Sequence, residues 1–551
     1  MGLLALAALV LGAGLACRGE KTAAVTPAPA TSVESSDAAA RTKRAPGQAR
    51  PVIWIGLDGL DFELVDRLAA AGVMPNWKRL ASEGYTAKLA SQLPLLSPIL
   101  WTTQATGVTP DVHRVLDFQE VDPASGRKVP ISGNSRSVPA VWNLASAAGR
   151  KVGVVGWWAS HPAEEVNGFF VSDHASPILF DALPLEGATY PAALAAGVAQ
   201  VSARDGRVAA ADLVPFLEMP PSEIAAALGS GGGMENPVVA LSRVLAATRV
   251  TQRIARDLYD RNLPNLTAVY FEGTDEVGHV FAPYAPPRPA CSAIRDEDAA
   301  RYERVVAAYY GVVDRILGQW MRRAEEDGAA LVVTSDHGFK WGDDRPCGFA
   351  SGNWSTAAFW HRPEGVFAAW GPGVAPAAAG ARAMVSILDV APTILGLLGL
   401  PADPRMPGAA VRAAFPGMAI ERAKAPSDLV VRRVAAAAPS AAESSEYAKK
   451  LLALGYLSPG EAQPLAPTSG ATPGMTEGAW NNLGVYLREN RKDFPAAQAA
   501  FEKSLALRPD YYSPMFNLAV LYRAKGDTAR ARDWFLRSVA AVGADPAAAV
   551  A

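Results

Sequence analysis

The run Val52-Ile53-Trp54-Ile55-Gly56-Leu57 rises abruptly out of a stretch rich in Ala, Pro, Ser and Thr and offers no polar side to water. A strand of that kind must be covered on both faces, which demands helices packed on each side of a sheet. The stretches 151–158, 266–271, 329–334 and 366–370 have the same character, and helical patterns such as 61–71 and 298–326 lie between them. This alternation predicts an α/β fold with a central, mostly parallel sheet flanked by helices. Sheets of this type bind their ligands beyond the carboxyl ends of the strands.

Ligand-type side chains sit at those ends. Asp58 directly follows the first run, and Asp336 and His337 follow 329–334 almost at once. Asp275 and His279 follow 266–271 at a spacing of four, so one helical turn points both the same way. His361 precedes the 366–370 run, and with it three of the chain's six histidines fall at these places. Each alone reads as an ordinary hydrogen-bonded histidine or a capping aspartate. Together, three Asp and three His supply ligands for two divalent ions, with zinc favoured by the imidazoles. His113, His161 and His174 have no ligand spacing. Ser97, ahead of a helical stretch, reads as either an N-cap or a nucleophile.

The order Asp58, Ser97, Asp275/His279, Asp336-His337, His361 strongly resembles the alkaline phosphatase superfamily, and in particular the type I phosphodiesterase/nucleotide pyrophosphatase family. The resemblance covers about 51–400. It is carried by Gly56-Leu57-Asp58-Gly59, Pro75-Asn76, Ser97 through Thr106-Gly107, Thr274 through His279, Ser335-Asp336-His337-Gly338 and Asp389-Val390-Ala391-Pro392-Thr393. It implies an alkaline-phosphatase-like sandwich in which Asp58, Asp336, His337 and Ser97 hold one ion, while Asp275, His279 and His361 hold the other. It further implies that Ser97 attacks phosphorus, forms a phosphoserine and is released by water.

Phe118 stands where nucleotide pyrophosphatases of this family carry an Asn that holds a phosphate oxygen, and Ser97 stands where they usually carry Thr. Both departures speak against nucleotide diesters rather than against phosphoester hydrolysis. The Cys/Ser-x-Pro-x-Arg motif of sulfatases is absent, since Ser97 is followed by Pro98 and Ile99. Trp157 and Trp158 read either as a substrate-stacking pair or as core. Two alternatives stay open: a phosphoryl transferase or phosphomutase on the same fold, and a scaffold whose phosphatase-like domain is weakly active.

The rest of the chain divides by composition. Residues 1–16 are apolar and end at Cys17, which resembles the lipobox of bacterial lipoproteins and predicts a signal peptide over 1–17 with Cys17 lipidated. The expected protein is exported and anchored to a membrane, facing the periplasm or cell exterior. Outside the cytosol Cys291 and Cys347 form either a disulfide or two buried thiols. Residues 18–50 read as a flexible tether, 51–415 as the catalytic domain with a substrate-selecting insertion at about 121–264, and 416–475 as a linker with one short helix at 444–457. In 476–545, Leu483-Gly484 and Phe501 recur as Leu518-Ala519 and Phe535, which looks like two tetratricopeptide repeats. Two such units barely bury a shared face, so the tail is expected to dock on the main domain or on a protein or peptide partner. The balance of 52 Lys+Arg against 54 Asp+Glu leaves no basic surplus for nucleic acid.

Overall fold

A nine-stranded sheet organises the main body, in the order Ala383–Ser386, Tyr85–Ala90, Glu364–Trp370, Ala330–Thr334, Val52–Leu57, Leu266–Phe271, Val152–Val155, Gly168–Val171 and Thr189–Tyr190. All run the same way except Glu364–Trp370 and Thr189–Tyr190, which are antiparallel to their neighbours. The arrangement comes from a computed structural model, which describes residues 50–175, 185–290, 292, 294–346, 357–378, 382–419, 421–457, 462 and 475–542. The 1–17 segment, most of the 18–50 tether and the residues Cys17, Cys291 and Cys347 lie outside the described residues. Among the described residues no helix is long and apolar enough to cross a membrane.

The central strands are buried along their whole length, as their lack of a polar side requires. Helices cover both faces, the longest being Pro237–Asn262 and Val305–Asp327. The expected 151–158 strand ends early, at Val155, because Gly156 takes a left-handed φ of 72° and turns the chain out of the sheet. The expected 298–326 helix is two, Asp296–Tyr302 and Val305–Asp327. Much of 121–264 is no separate insertion. It supplies three strands of the sheet and the Pro237–Asn262 helix packed on it.

The stretch read as a linker likewise packs on the body. Its helix is Ala441–Ala453, starting a few residues before the expected 444 because the Ser440 hydroxyl caps it and Glu443 returns the bond. Tyr447, Leu451, Leu454, Tyr456 and Leu457 join the main core.

Beyond it, Glu477–Tyr486, Phe494–Leu507, Tyr512–Ala524 and Thr528–Ala541 form two helical hairpins. Phe501, Leu518, Leu521 and Tyr522 make their own small core. The tail docks on the main body: Met475, Ala479, Leu483 and Tyr486 close over Leu116. Around that contact Thr476 Oγ1 donates to Asp117 Oδ2 at 2.6 Å, Asn482 Nδ2 to the Leu116 carbonyl at 3.0 Å, and Lys128 Nζ to Glu477 Oε1 at 2.6 Å.

Candidate active site

The register of the central strands sets Leu57 beside Phe271 and Gly56 beside Thr334, so the three strands end together and the residues that follow them emerge at one edge. Asp58, Asp275 and Asp336-His337 emerge there together. Glu364–Trp370 runs the opposite way, so its amino end lies at that same edge and brings His361 in. Six side chains read from separate motifs thereby fall into two groups, Asp58/Asp336/His337 and Asp275/His279/His361, each with ligand atoms within 4.8 Å of one another.

In the first group His337 Nε2 lies 3.5 Å from both Asp58 Oδ1 and Asp336 Oδ2. In the second, His279 Nε2 is 3.0 Å from Asp275 Oδ2, and His361 Nε2 is 3.4 Å from Asp275 Oδ1. The groups adjoin, with His337 Nε2 only 3.9 Å from Asp275 Oδ1. Gly59 permits this closeness: it takes a left-handed φ of 62°, and a Cβ there would sit 2.8 Å from Asp275 Oδ1.

Electrostatics point to bound cations. Burial, with Asp336 and Asp275 close by, pushes the Asp58 carboxyl well above its ordinary range. Burial, with Asp275 beside it, pushes Asp336 up to about 7. Asp275 is also raised by burial, yet His279 and His361 hold it well below the usual carboxylate range. Burial, with His337 stacked 3.7 Å away, pushes His361 down to about 3. A neutral imidazole is a ligand rather than a counter-ion. Asp275 Oδ1, Asp336 Oδ2 and His337 Nε2 are buried without a hydrogen-bond partner. A divalent ion in each group would satisfy all three, so the residues fit a metal pair.

Ser97 is the first residue of the Ser97–Thr106 helix, not its N-cap; that position belongs to Leu96. Its Oγ is thereby free to face Asp58 Oδ1 at 3.4 Å. The other oxygen of Asp58 accepts from Trp101 Nε1 at 3.0 Å and from the Tyr270 hydroxyl. The carboxylate that Ser97 addresses is therefore fixed in orientation.

A cavity opens beside Ser97, and Phe118 and Trp158 line it. Trp157 does not; it is fully buried against Trp54, Trp101 and Trp142, as core. His113, His161 and His174 stand apart from both groups, the latter two stacked on each other at 3.7 Å. Tyr456, Tyr270, Glu272 and Glu276 also line the cavity, and no spacing in the sequence marks Tyr456. Its hydroxyl donates to Asp275 Oδ2 at 2.5 Å and lies 3.0 Å from His279 Nε2. Burial, with Glu272 and Asp275 near, pushes the Glu276 carboxyl well above its ordinary range.

Residues 52–350, a little more than half of the chain, match the family model described as type I phosphodiesterase / nucleotide pyrophosphatase. No curated protein matches the chain. Among solved structures the chain is similar to the phosphonoacetate hydrolase of Sinorhizobium meliloti 1021 in complex with phosphonoformate, at 20% identity and a TM-score of 0.33, over 54% of this chain and 58% of that one. It spans less than two thirds of that protein. It is also similar to wild-type alkaline phosphatase PafA, at 11% identity and a TM-score of 0.44, over 68% of this chain and 100% of that one. Murine ectonucleotide pyrophosphatase / phosphodiesterase 5 matches at 13% identity and a TM-score of 0.35, over 64% of this chain and 96% of that one. On the match to residues 52–350, the chain belongs to the type I phosphodiesterase / nucleotide pyrophosphatase family.

Proposed function

We propose that the protein hydrolyses phosphodiesters through a phosphoserine on Ser97, at a site holding two divalent ions, zinc by the imidazole share of the ligands. Asp58, Asp336 and His337, with Ser97, would hold one ion; Asp275, His279 and His361 would hold the other. When bound, such ions lower the pKa of a serine hydroxyl and draw charge from phosphoryl oxygens.

The observation that carries the reading is Ser97 Oγ facing a fixed carboxylate oxygen at 3.4 Å, beside two adjoining ligand groups. Ser97 Oγ, its proton given up to solvent, forms a bond to phosphorus as the bond to the leaving alcohol's oxygen breaks, and that oxygen takes a proton from water. Trp101 and Tyr270 keep Asp58 Oδ1 turned to Ser97 by holding Oδ2. The positive end of the ten-residue Ser97–Thr106 helix favours the phosphoryl charge gathering at its first residue. Water then cleaves the Oγ–P bond and restores the hydroxyl.

The reading further takes the chain to be exported, lipidated at Cys17, and fitted with a tetratricopeptide tail that binds a protein or peptide. Incorporation of a labelled fatty acid that is lost in Cys17→Ala tests the anchor. The hydrolase is tested by the rate at which zinc-loaded protein cleaves a chromogenic phosphodiester and the matching monoester, with Ser97→Ala as control. Serine-dependent diester preference is expected. Monoester preference would make the protein a phosphatase, and turnover that survives in Ser97→Ala would sink the covalent route.

A further inference from the structure

A histidine that binds an ion through one ring nitrogen needs an acceptor for the N–H on the other. Two of the three site histidines have one: His337 Nδ1 lies 3.1 Å from the Gly338 carbonyl, and His361 Nδ1 lies 3.1 Å from the Leu95 carbonyl. His279, which turns Nε2 to Asp275, does not; its Nδ1 is buried with no partner. What stands beside it is another donor. Arg345 is 5% exposed, and its guanidinium lies 4.1 Å from the Trp360 ring and 5.4 Å from Phe339. The His279 ring lies 5.3 Å from those same two rings. Arg345 Nη2 reaches the His279 carbonyl only at 3.5 Å, long for a hydrogen bond, and Nη1 is buried with no partner. Neither acid next to Arg345 in the chain serves it: Asp343 accepts from the Ala290 N–H, and Asp344 pairs with Arg362. No carboxylate among the described residues pairs with Arg345, and the one that bears on it, Asp275, is engaged by His279, His361 and Tyr456.

A guanidinium stripped of water and left without a counter-charge is costly. A water molecule accepts its N–H but leaves the charge uncompensated, whereas an anion answers both. We infer that Arg345 Nη1 and His279 Nδ1 together hold a small monovalent anion, of the size and charge of a halide, with Trp360 and Phe339 as its apolar walls. Such an ion keeps the His279 proton on Nδ1 and leaves Nε2 free to ligate, the part that backbone carbonyls play for His337 and His361. The inference rests on His279 being a metal ligand and adds an anion on which zinc affinity depends.

Bromide is the probe, because it replaces chloride and scatters anomalously. Crystals of the full-length protein, incubated with zinc in gluconate and soaked in sodium bromide, are expected to show a bromide within hydrogen-bond reach of Arg345 Nη1 and His279 Nδ1. In solution, chloride added at constant ionic strength is expected to tighten zinc binding at least about tenfold and to saturate, as read by competition with a chelating dye. Arg345→Met is expected to abolish that dependence, and it corrects for chloride that binds zinc itself. A water or a chain oxygen where the bromide should lie overturns the site, whether or not the variant folds. A bromide peak with zinc bound equally tightly at every chloride concentration is an adventitious ion only, and overturns it as well. The metal reading fails separately. Bromide seated on Arg345 in protein that takes up no zinc, and lost from Arg345→Met, keeps the anion site and removes the metal pair. Zinc-dependent hydrolysis with no halide at Arg345 does the reverse.

Discussion

Tyr456 donates a hydrogen bond to Asp275 Oδ2 across 2.5 Å, although 181 residues separate the two in the chain. It holds in place a carboxylate whose two oxygens face His279 and His361. Partners that orient a metal ligand typically matter about 10–100-fold in metal affinity or activity. Tyr456→Phe is therefore expected to weaken zinc binding by that factor while leaving the thermal midpoint of the metal-free protein within a few degrees. Competition against a chelating dye reads the affinity, and unchanged zinc binding would assign the hydroxyl to packing alone.

Ser97→Ala removes the attacking atom without touching the six Asp and His side chains of the ligand groups. Turnover is expected to fall by at least about a thousandfold. Zinc stoichiometry, measured by atomic emission on the same sample, is expected to stay the same. A variant that lost both would show Ser97 to be needed for assembly of the site.

Metal removal should change how stability responds to pH. In the metal-free chain burial raises Asp336 to about 7, above its value near 3.8 when unfolded. A raised acid contributes stability that is fully present below the unfolded value and is lost as pH rises through the folded one. The share of metal-free stability that Asp336 contributes is thus expected to be lost between about pH 4 and pH 7, and Asp336→Asn to remove that share. Zinc should raise the melting temperature more at pH 8 than at pH 5. His361, depressed to about 3, acts in the opposite sense, its stability being present above the unfolded value near 6.5 and lost as pH falls toward 3. Melting scans from pH 4 to pH 8, with and without zinc, separate the two, and an Asp336→Asn profile parallel to the parent's would contradict the assignment.

Docking of the tail turns on Glu477, which is 1% exposed in its side chain and pairs with Lys128 at 2.6 Å and Arg508 at 3.0 Å. Glu477→Ala leaves two largely buried cations close together without the carboxylate between them. A loss of about 3–5 kcal/mol is expected by analogy with broken buried pairs. Denaturant titration measures it, and release of the tail by limited proteolysis should speed up in parallel. An unchanged midpoint would mean that the apolar contacts around Leu116 hold the tail by themselves.

The six Asp and His side chains of the two groups were legible because five stand within a few residues of a buried strand and His279 lies one helical turn beyond Asp275, and such strands announce themselves by composition. His361 was picked out by the family resemblance although it precedes its strand, and the reason it reaches the site is structural: the strand runs antiparallel, so its amino end meets the shared edge. Tyr85–Ala90 was not legible, since Lys88 and Thr86 break its apolar run. Ala383–Ser386 is a half-exposed edge strand with little to mark it. Tyr456 was out of reach for a different reason. The segment around it has the Ala, Pro and Ser content of a linker, and the surface it covers is built by residues far away in sequence. The tail's hairpins were visible through recurring positions such as Phe501 and Phe535, whereas the face that Leu116 and Asp117 present to them carries no repeat.

The tail grips the chain at Leu116 and Asp117, and the next residue is Phe118, one wall of the cavity beside Ser97. Anchor and wall are thus covalent neighbours, and a single peptide bond separates the residue that the tail binds from a residue that lines the cavity.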